Sequence, residues 1–198
     1  MENITAKLSN IPHYLPRMII FILALGVLVQ LGLSIKTLMA PLPVSKAVKV
    51  APIREGTLLL LSQKDQYKVG ETIPVLVRVD SGGHSVDGVD AVIRYDNKLL
   101  LASSSAIIRG TAFSDFPQAV VDQKNGLIKI SGVSGVSGTA FSGIDELATV
   151  NFKAVAPGTA AAVLDFTKAG DTSDSNIIEA GTPDDVLGKV VNLKVNIK

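Results

Sequence analysis

From residue 56 to the C-terminus the apolar residues recur at every second position, and this spacing constrains the fold more than any single motif. Successive side chains of an extended strand point to opposite faces, so period two marks a half-buried strand where a helix would show period 3.6. Ile73, Val75, Val77 and Val79 alternate with Pro74, Leu76, Arg78 and Asp80, and Val89, Ala91, Ile93 and Tyr95 alternate with Asp90, Val92 and Arg94. The pattern returns in Ala148, Val150 and Phe152, in Ala162, Leu164 and Phe166, and in Val191, Leu193, Val195 and Ile197. Turn formers separate the runs: Ser81-Gly82-Gly83, Asn125-Gly126, which suits a type I′ hairpin, and Ala156-Pro157-Gly158. Pro74 suits an edge strand or a strand start, because it has no N–H to give to a ladder. The spacing predicts an all-β sandwich or jelly roll whose strands each have a core face and an outer face.

The first 55 residues are of a different kind. Residues 18–35 carry no charge and one strongly polar side chain, Gln30. At about 1.5 Å per residue such a helix spans most of a hydrocarbon core roughly 30 Å thick. The expected organisation is a cytoplasmic tail over 1–17, a transmembrane helix over 18–39, a linker over 40–55 containing Pro41, Pro43 and Pro52, and one domain over 56–198. Two other readings remain for the apolar run: a cleaved signal ending at Leu38-Met39-Ala40, and a buried helix of a soluble fold. Lys7 and Arg17 precede the run while Lys36, Lys46, Lys49 and Arg54 follow it, so positive charges alone favour a cytoplasmic C-terminal side.

Composition excludes several function classes. Mean hydropathy is +0.38, yet only one segment is long enough to cross a bilayer, which excludes a polytopic channel or transporter. Residues 1–55 carry a net charge of +4 and residues 56–198 a net charge of −3. A mildly acidic domain binds phosphate poorly, so nucleic acid is not an expected partner. The absence of cysteine removes disulfides, thiolate nucleophiles and cysteine-ligated metals. His84 is the only histidine after residue 55, and the serines of 132–138 never complete a Gly-x-Ser-x-Gly elbow, so no catalytic residues are assigned. A flexible polar loop is the expectation for 132–138.

Within this pattern the domain resembles the cohesin family, nine-stranded jelly-roll modules of cellulosome scaffolds. The resemblance is carried by Val69-Gly70-Glu71-Thr72 leading into the valine-rich strand, by residues 88–96 ending in Tyr95-Asp96 and followed by Leu99, and by Gly126 to Gly132. It continues through Leu147 to Ala154 with Ala156-Pro157-Gly158, and through Asp174-Ser175-Asn176. It implies a jelly roll of about nine strands, on the cell surface with the domain outside and the N-terminus inside. It also implies that the strand ending in Tyr95-Asp96 belongs to a face that binds the dockerin module of a partner enzyme. Aligned on those two residues, Asp90 falls on a dockerin-contacting aspartate, and alternation independently puts it on the outer face. Gly88 stands where many cohesins carry a contacting asparagine, and Ser131 and Ser134 fall near other contact positions.

The expected function is a non-enzymatic cell-surface recognition module binding a protein partner through Asp90, Val92, Arg94, Lys129 and Ser131. The bland alternative is a solvated strand face on which Asp and Arg pair. Asp171, Asp174 and Asn176 lie in an oxygen-rich segment that reads either as a calcium site or as a capped turn; no other cofactor is expected. Carbohydrate binding is the second function. There is no Trp to stack a sugar ring, and Phe113 and Phe116 form either an exposed platform or a plug under a loop. A structural subunit of a surface layer or filament is the third.

Overall fold

The computed structural model describes residues 14–38, 55–135, 138–171 and 173–198. The chain divides into two compact units, Met1–Val50 and Ala51–Lys198. In the first, helix α1 covers Leu15–Leu38. Among the described residues, no helix is long and apolar enough to cross a membrane. The transmembrane span expected over 18–39 is corrected to this helix: its uncharged stretch between Arg17 and Lys36 has only 18 residues, at the short end for a crossing. Most of the expected tail over 1–17 and all but the last residue of the linker over 40–55 lie outside the described residues.

The second unit is a two-sheet sandwich. Its strands are β1 (Gly56–Ser62), β2 (Gln66–Tyr67), β3 (Thr72–Asp80), β4 (Val86–Tyr95), β5 (Leu100–Leu101), β6 (Ile107–Arg109) and β7 (Asp115–Asp122). They continue with β8 (Leu127–Val133), β9 (Ile144–Ala154), β10 (Gly158–Leu164), β11 (Asn176–Glu179), β12 (Leu187–Val191) and β13 (Leu193–Ile197). One sheet runs β12-β1-β3-β9-β5, with β6 also on β9; the other runs β2-β13-β10-β4-β8-β7, with β11 also on β4. The expected nine strands correspond to the nine described segments of five or more residues; β2, β5, β6 and β11 are shorter additions.

The core lies between the sheets where alternation placed it. Ile73, Val75, Val77 and Val79 of β3 face Val89, Ala91, Ile93 and Tyr95 of β4, and all are buried. Phe152 at the centre meets Tyr95 edge to face with ring centroids 5.0 Å apart, a favoured aromatic geometry. Pro74 lies one residue beyond the last β1–β3 pair, Ser62 with Val75. It therefore has only β9 beside it, through Asn151, and its missing N–H leaves no ladder bond unmade.

Two local expectations are corrected. Asn125-Gly126 is not a type I′ turn, which needs positive φ at both central residues. Gly126 has φ +62°, but no described non-glycine residue has positive φ. The β7–β8 connection is instead a four-residue loop with Asp122 Oδ1 accepting the Asn125 N–H at 3.1 Å. The run Val191 to Ile197 is not one strand. Between β12 in one sheet and β13 in the other, Asn192 interrupts it, and Asn192 Oδ1 accepts the Leu164 N–H at 2.9 Å.

Candidate binding face

β4 has β8 along one edge and, end to end along the other, β10 and β11. Alternation turns Asp90, Val92 and Arg94 away from the core. The registers then align Asn176, Asp90, Ser131 and Gln118 across β11, β4, β8 and β7 as one polar row on the outer face. Ser131 Oγ donates a hydrogen bond to Asp90 Oδ1. Lys129 pairs with Val92 in the next rung. Three of the five expected site residues, Asp90, Lys129 and Ser131, are thus neighbours on this face.

Arg94 lies a rung further on and is held elsewhere. Its Nε and Nη2 donate to Asp165 Oδ2 at 2.8 and 2.7 Å. The bland reading paired Asp90 with Arg94. Asp90 instead forms no ion pair among the described residues, and its oxygens serve Ser131 and the surface.

Val92 is a correction: it is only 7% exposed although it points outward. Asp165 and Ser175, at the two ends of the connection between β10 and β11, lie against it. Asp165 N–H donates to the Val92 carbonyl at 2.8 Å, and Ser175 N–H donates to the Asp165 carbonyl at 2.8 Å. Ser175 Oγ accepts the Val92 N–H at 3.0 Å. A recess of about 170 Å³ remains, lined by Asp90, Val92, Gln118, Lys129, Ser131 and Asp174 among others. Val92 is therefore part of the floor rather than an exposed contact.

The oxygen-rich segment splits. Asp171 Oδ1 accepts the Ser173 N–H at 2.9 Å and the Ser173 hydroxyl at 2.6 Å. This turn cap holds the Asp171 carboxyl below the usual aspartate range. Asp174 and Asn176 are buried, and Asp174 Oδ2 accepts the Thr167 N–H at 2.7 Å. The three side chains expected to share an ion are thus not one set. Among the described residues no group of three or more His, Cys, Asp or Glu side chains could hold a metal ion.

The remaining candidates are structural. Phe113 and Phe116 are buried, so they form the plug and not the platform; Phe113 packs on Phe141 with centroids 5.5 Å apart. Tyr67, Tyr95 and Phe152 are buried as well, and Phe141 and Phe166 are partly buried against the core. His84 Nδ1 meets Glu179 Oε1 at 2.9 Å. The loop expected over 132–138 begins later, because Gly132 and Val133 belong to β8; residues 136 and 137 lie outside the described residues. Sequence reasoning missed Asp165, Ser175 and Gln118. Gln118 had a usable signal in its place on a hairpin strand beside β8, whereas the 165–175 segment has no alternation to read.

Comparison with solved structures finds the same sandwich. The third cohesin ScaC of Acetivibrio cellulolyticus, solved in complex with the ScaB dockerin, is similar at TM-score 0.58 and 13% identity, over 72% of this chain and 98% of that one. The seventh ScaB type I cohesin from Pseudobacteroides cellulosolvens is similar at TM-score 0.57 and 13% identity, over 73% and 93%. A non-cellulosomal cohesin from the hyperthermophilic archaeon Archaeoglobus fulgidus is similar at TM-score 0.52 and 17% identity, over 73% and 91%. At these identities the likeness concerns the fold. No curated protein matches the chain. The sequence profile of the cohesin domain matches residues 59–197, which is the whole sandwich apart from its first three residues and its last, and the chain belongs to the cohesin domain family.

Proposed function

We propose that the sandwich is a non-enzymatic recognition module that binds a protein partner, of the dockerin class, through the outer face around Asp90. The observation that carries this reading is the row Asn176–Asp90–Ser131–Gln118. It crosses β11, β4, β8 and β7 of one sheet, and among the described residues its Asp90 carboxylate bonds a serine hydroxyl and forms no ion pair. Such a carboxylate is set to accept hydrogen bonds or a positive charge from a docked surface. Membership of the cohesin family and likeness to a cohesin solved with a dockerin support the partner class. Gly88 and Ser131 differ from common contact residues of the family, so the partner's own contact residues should differ too.

The test is capture from the native organism's extracts by the full chain beside Asp90→Arg. Retention of a protein by the wild type and its loss in the variant, with an unchanged melting temperature, is the expected result. Equal capture by both would remove the assignment to this face. Placement outside the cell belongs to the same reading. Its support is the family itself, whose solved members include cohesins of the cellulosome and of scaffoldins. Protease added to intact cells should remove the domain.

A further inference from the structure

Among the described residues, one side-chain oxygen in the polar row and one next to it accept no hydrogen bond. Asp174 Oδ1 and Asn176 Oδ1 are both shielded from solvent, and neither accepts a hydrogen bond among the described residues. Both residues are only 5% exposed. Buried acceptors left unmade are uncommon in folded proteins and point to an occupant. Asp174 carries the stronger argument, because both of its side-chain heteroatoms are oxygens and one is already used by the Thr167 N–H. Asp174 also lines the outer-face recess together with Asp90, Gln118, Lys129 and Ser131. Asn176 pairs with Asp90 across the β11–β4 ladder, so their side chains share that face.

We propose that Asp174, Asn176 and Asp90 form an oxygen site for a hard divalent cation of the calcium type, between residues 174–176 and the face of β4. The chemistry of the set selects this class. It offers two carboxylates, one amide oxygen and nearby hydroxyls, with no imidazole or thiolate, which suits calcium and not a transition metal. Calcium tolerates irregular shells of six to eight oxygens, whereas magnesium demands a near-octahedral one. The ligand set differs from the contiguous one in the sequence, because Asp171 is consumed by Ser173. Lys129 is the built-in competitor: it lines the same recess and forms no ion pair among the described residues. Asp90 is shared with the proposed docking face, and a titration of the chain alone, which needs no partner, tests the cation site separately from that reading.

The test is calcium titration of the metal-stripped full chain, read by calorimetry and by melting temperature, with magnesium and matched potassium chloride as controls. Calcium should bind with a dissociation constant of about 10⁻⁴–10⁻³ M, the range of weak modules, and should raise the melting temperature. Asp174→Asn and Asn176→Ala should each weaken binding roughly tenfold or more, Asp171→Asn should leave it unchanged, and Lys129→Met should tighten it. The wild-type titration decides even if a variant fails to fold. No calcium response beyond matched ionic strength overturns the site. So does a response unaltered in both Asp174→Asn and Asn176→Ala, or a Lys129→Met chain that is destabilised and indifferent to calcium, which would give the carboxylate to Lys129.

Discussion

Ser175 completes the hydrogen bonding of Val92 from 83 positions away: its hydroxyl accepts the Val92 N–H at 3.0 Å and donates to the Val92 carbonyl at 3.3 Å. Beside this residue β10 has ended at Leu164, paired with Ile93, and β11 begins with Asn176, paired with Asp90. Without the serine, the β4 edge would break in the middle of the sheet. With it, the backbone polar groups of a covered residue are satisfied, and Asp165 and Ser175 are held beside the candidate face.

Ser175→Ala should therefore leave the buried Val92 N–H without an acceptor. A loss of about 1–3 kcal/mol is expected in urea unfolding, with faster amide exchange at Val92 than at Ala91. An unchanged exchange rate at Val92 would show that another group holds the segment.

Asn192 marks the passage of the chain from one sheet to the other, and its side-chain oxygen holds the end of β10 through the Leu164 N–H. Asn192→Ala should cost about 1–2 kcal/mol. The readout is chemical denaturation, with increased exchange at Leu164 as the local signature.

At Gly126 the backbone has φ +62°, and an added Cβ would lie 2.4 Å from the Tyr95 carbonyl oxygen. That oxygen belongs to a central strand and cannot retreat. Gly126→Ala should destabilise by more than Gly181→Ala, where φ is +77° but nothing lies within 4 Å. For Gly181→Ala the left-handed backbone alone sets a cost of about 1–2 kcal/mol. Equal melting temperatures for the two variants would remove the steric argument.

Tyr95 and Asp122 give opposite pH signatures. Burial and then the Asp122 charge raise the Tyr95 pKa above its ordinary value. The stability this represents is fully present below the unfolded-state pKa, about 10, and is lost as pH rises through the folded-state value. Asp122 is lowered, first by the Asn125 side-chain hydrogen bond and then by the Asn125 N–H. Its contribution is present above the unfolded-state pKa, about 3.9, and is lost as pH falls through the folded-state value. Ultraviolet titration should show a tyrosine ionising at higher pH than a free one, and carbon NMR should show Asp122 protonating at lower pH than an ordinary aspartate. Reversal of either order would contradict the contacts described.

The core residues of β3 and β4 were legible because alternation is a local property: any strand half-buried on one side must show it. The same rule put Asp90 on the outer face and Phe152 inside, and both are found there. Local rules also misled in specific places. The letters alternate through Val191, Leu193 and Val195, but the chain changes sheets at Asn192 and the phase changes with it: Val190, opposite buried Leu58, packs against the core, whereas Val191 lies opposite Leu59 on the other face. Val92 has the spacing of an exposed residue and is covered by a segment distant in sequence.

The amino-acid sequence by itself determined that residues 56–198 would be strands with one buried face, that no cysteine chemistry would operate, and that Asp90 would look outward. Only the tertiary structure decided what lies over that outward face. Side-chain spacing reports which side of a strand is apolar, whereas cover depends on where a loop without spacing folds back. That is why Val92 became a floor, Arg94 went to Asp165, and Asp174 and Asn176 were drawn from a turn into the wall beside Asp90.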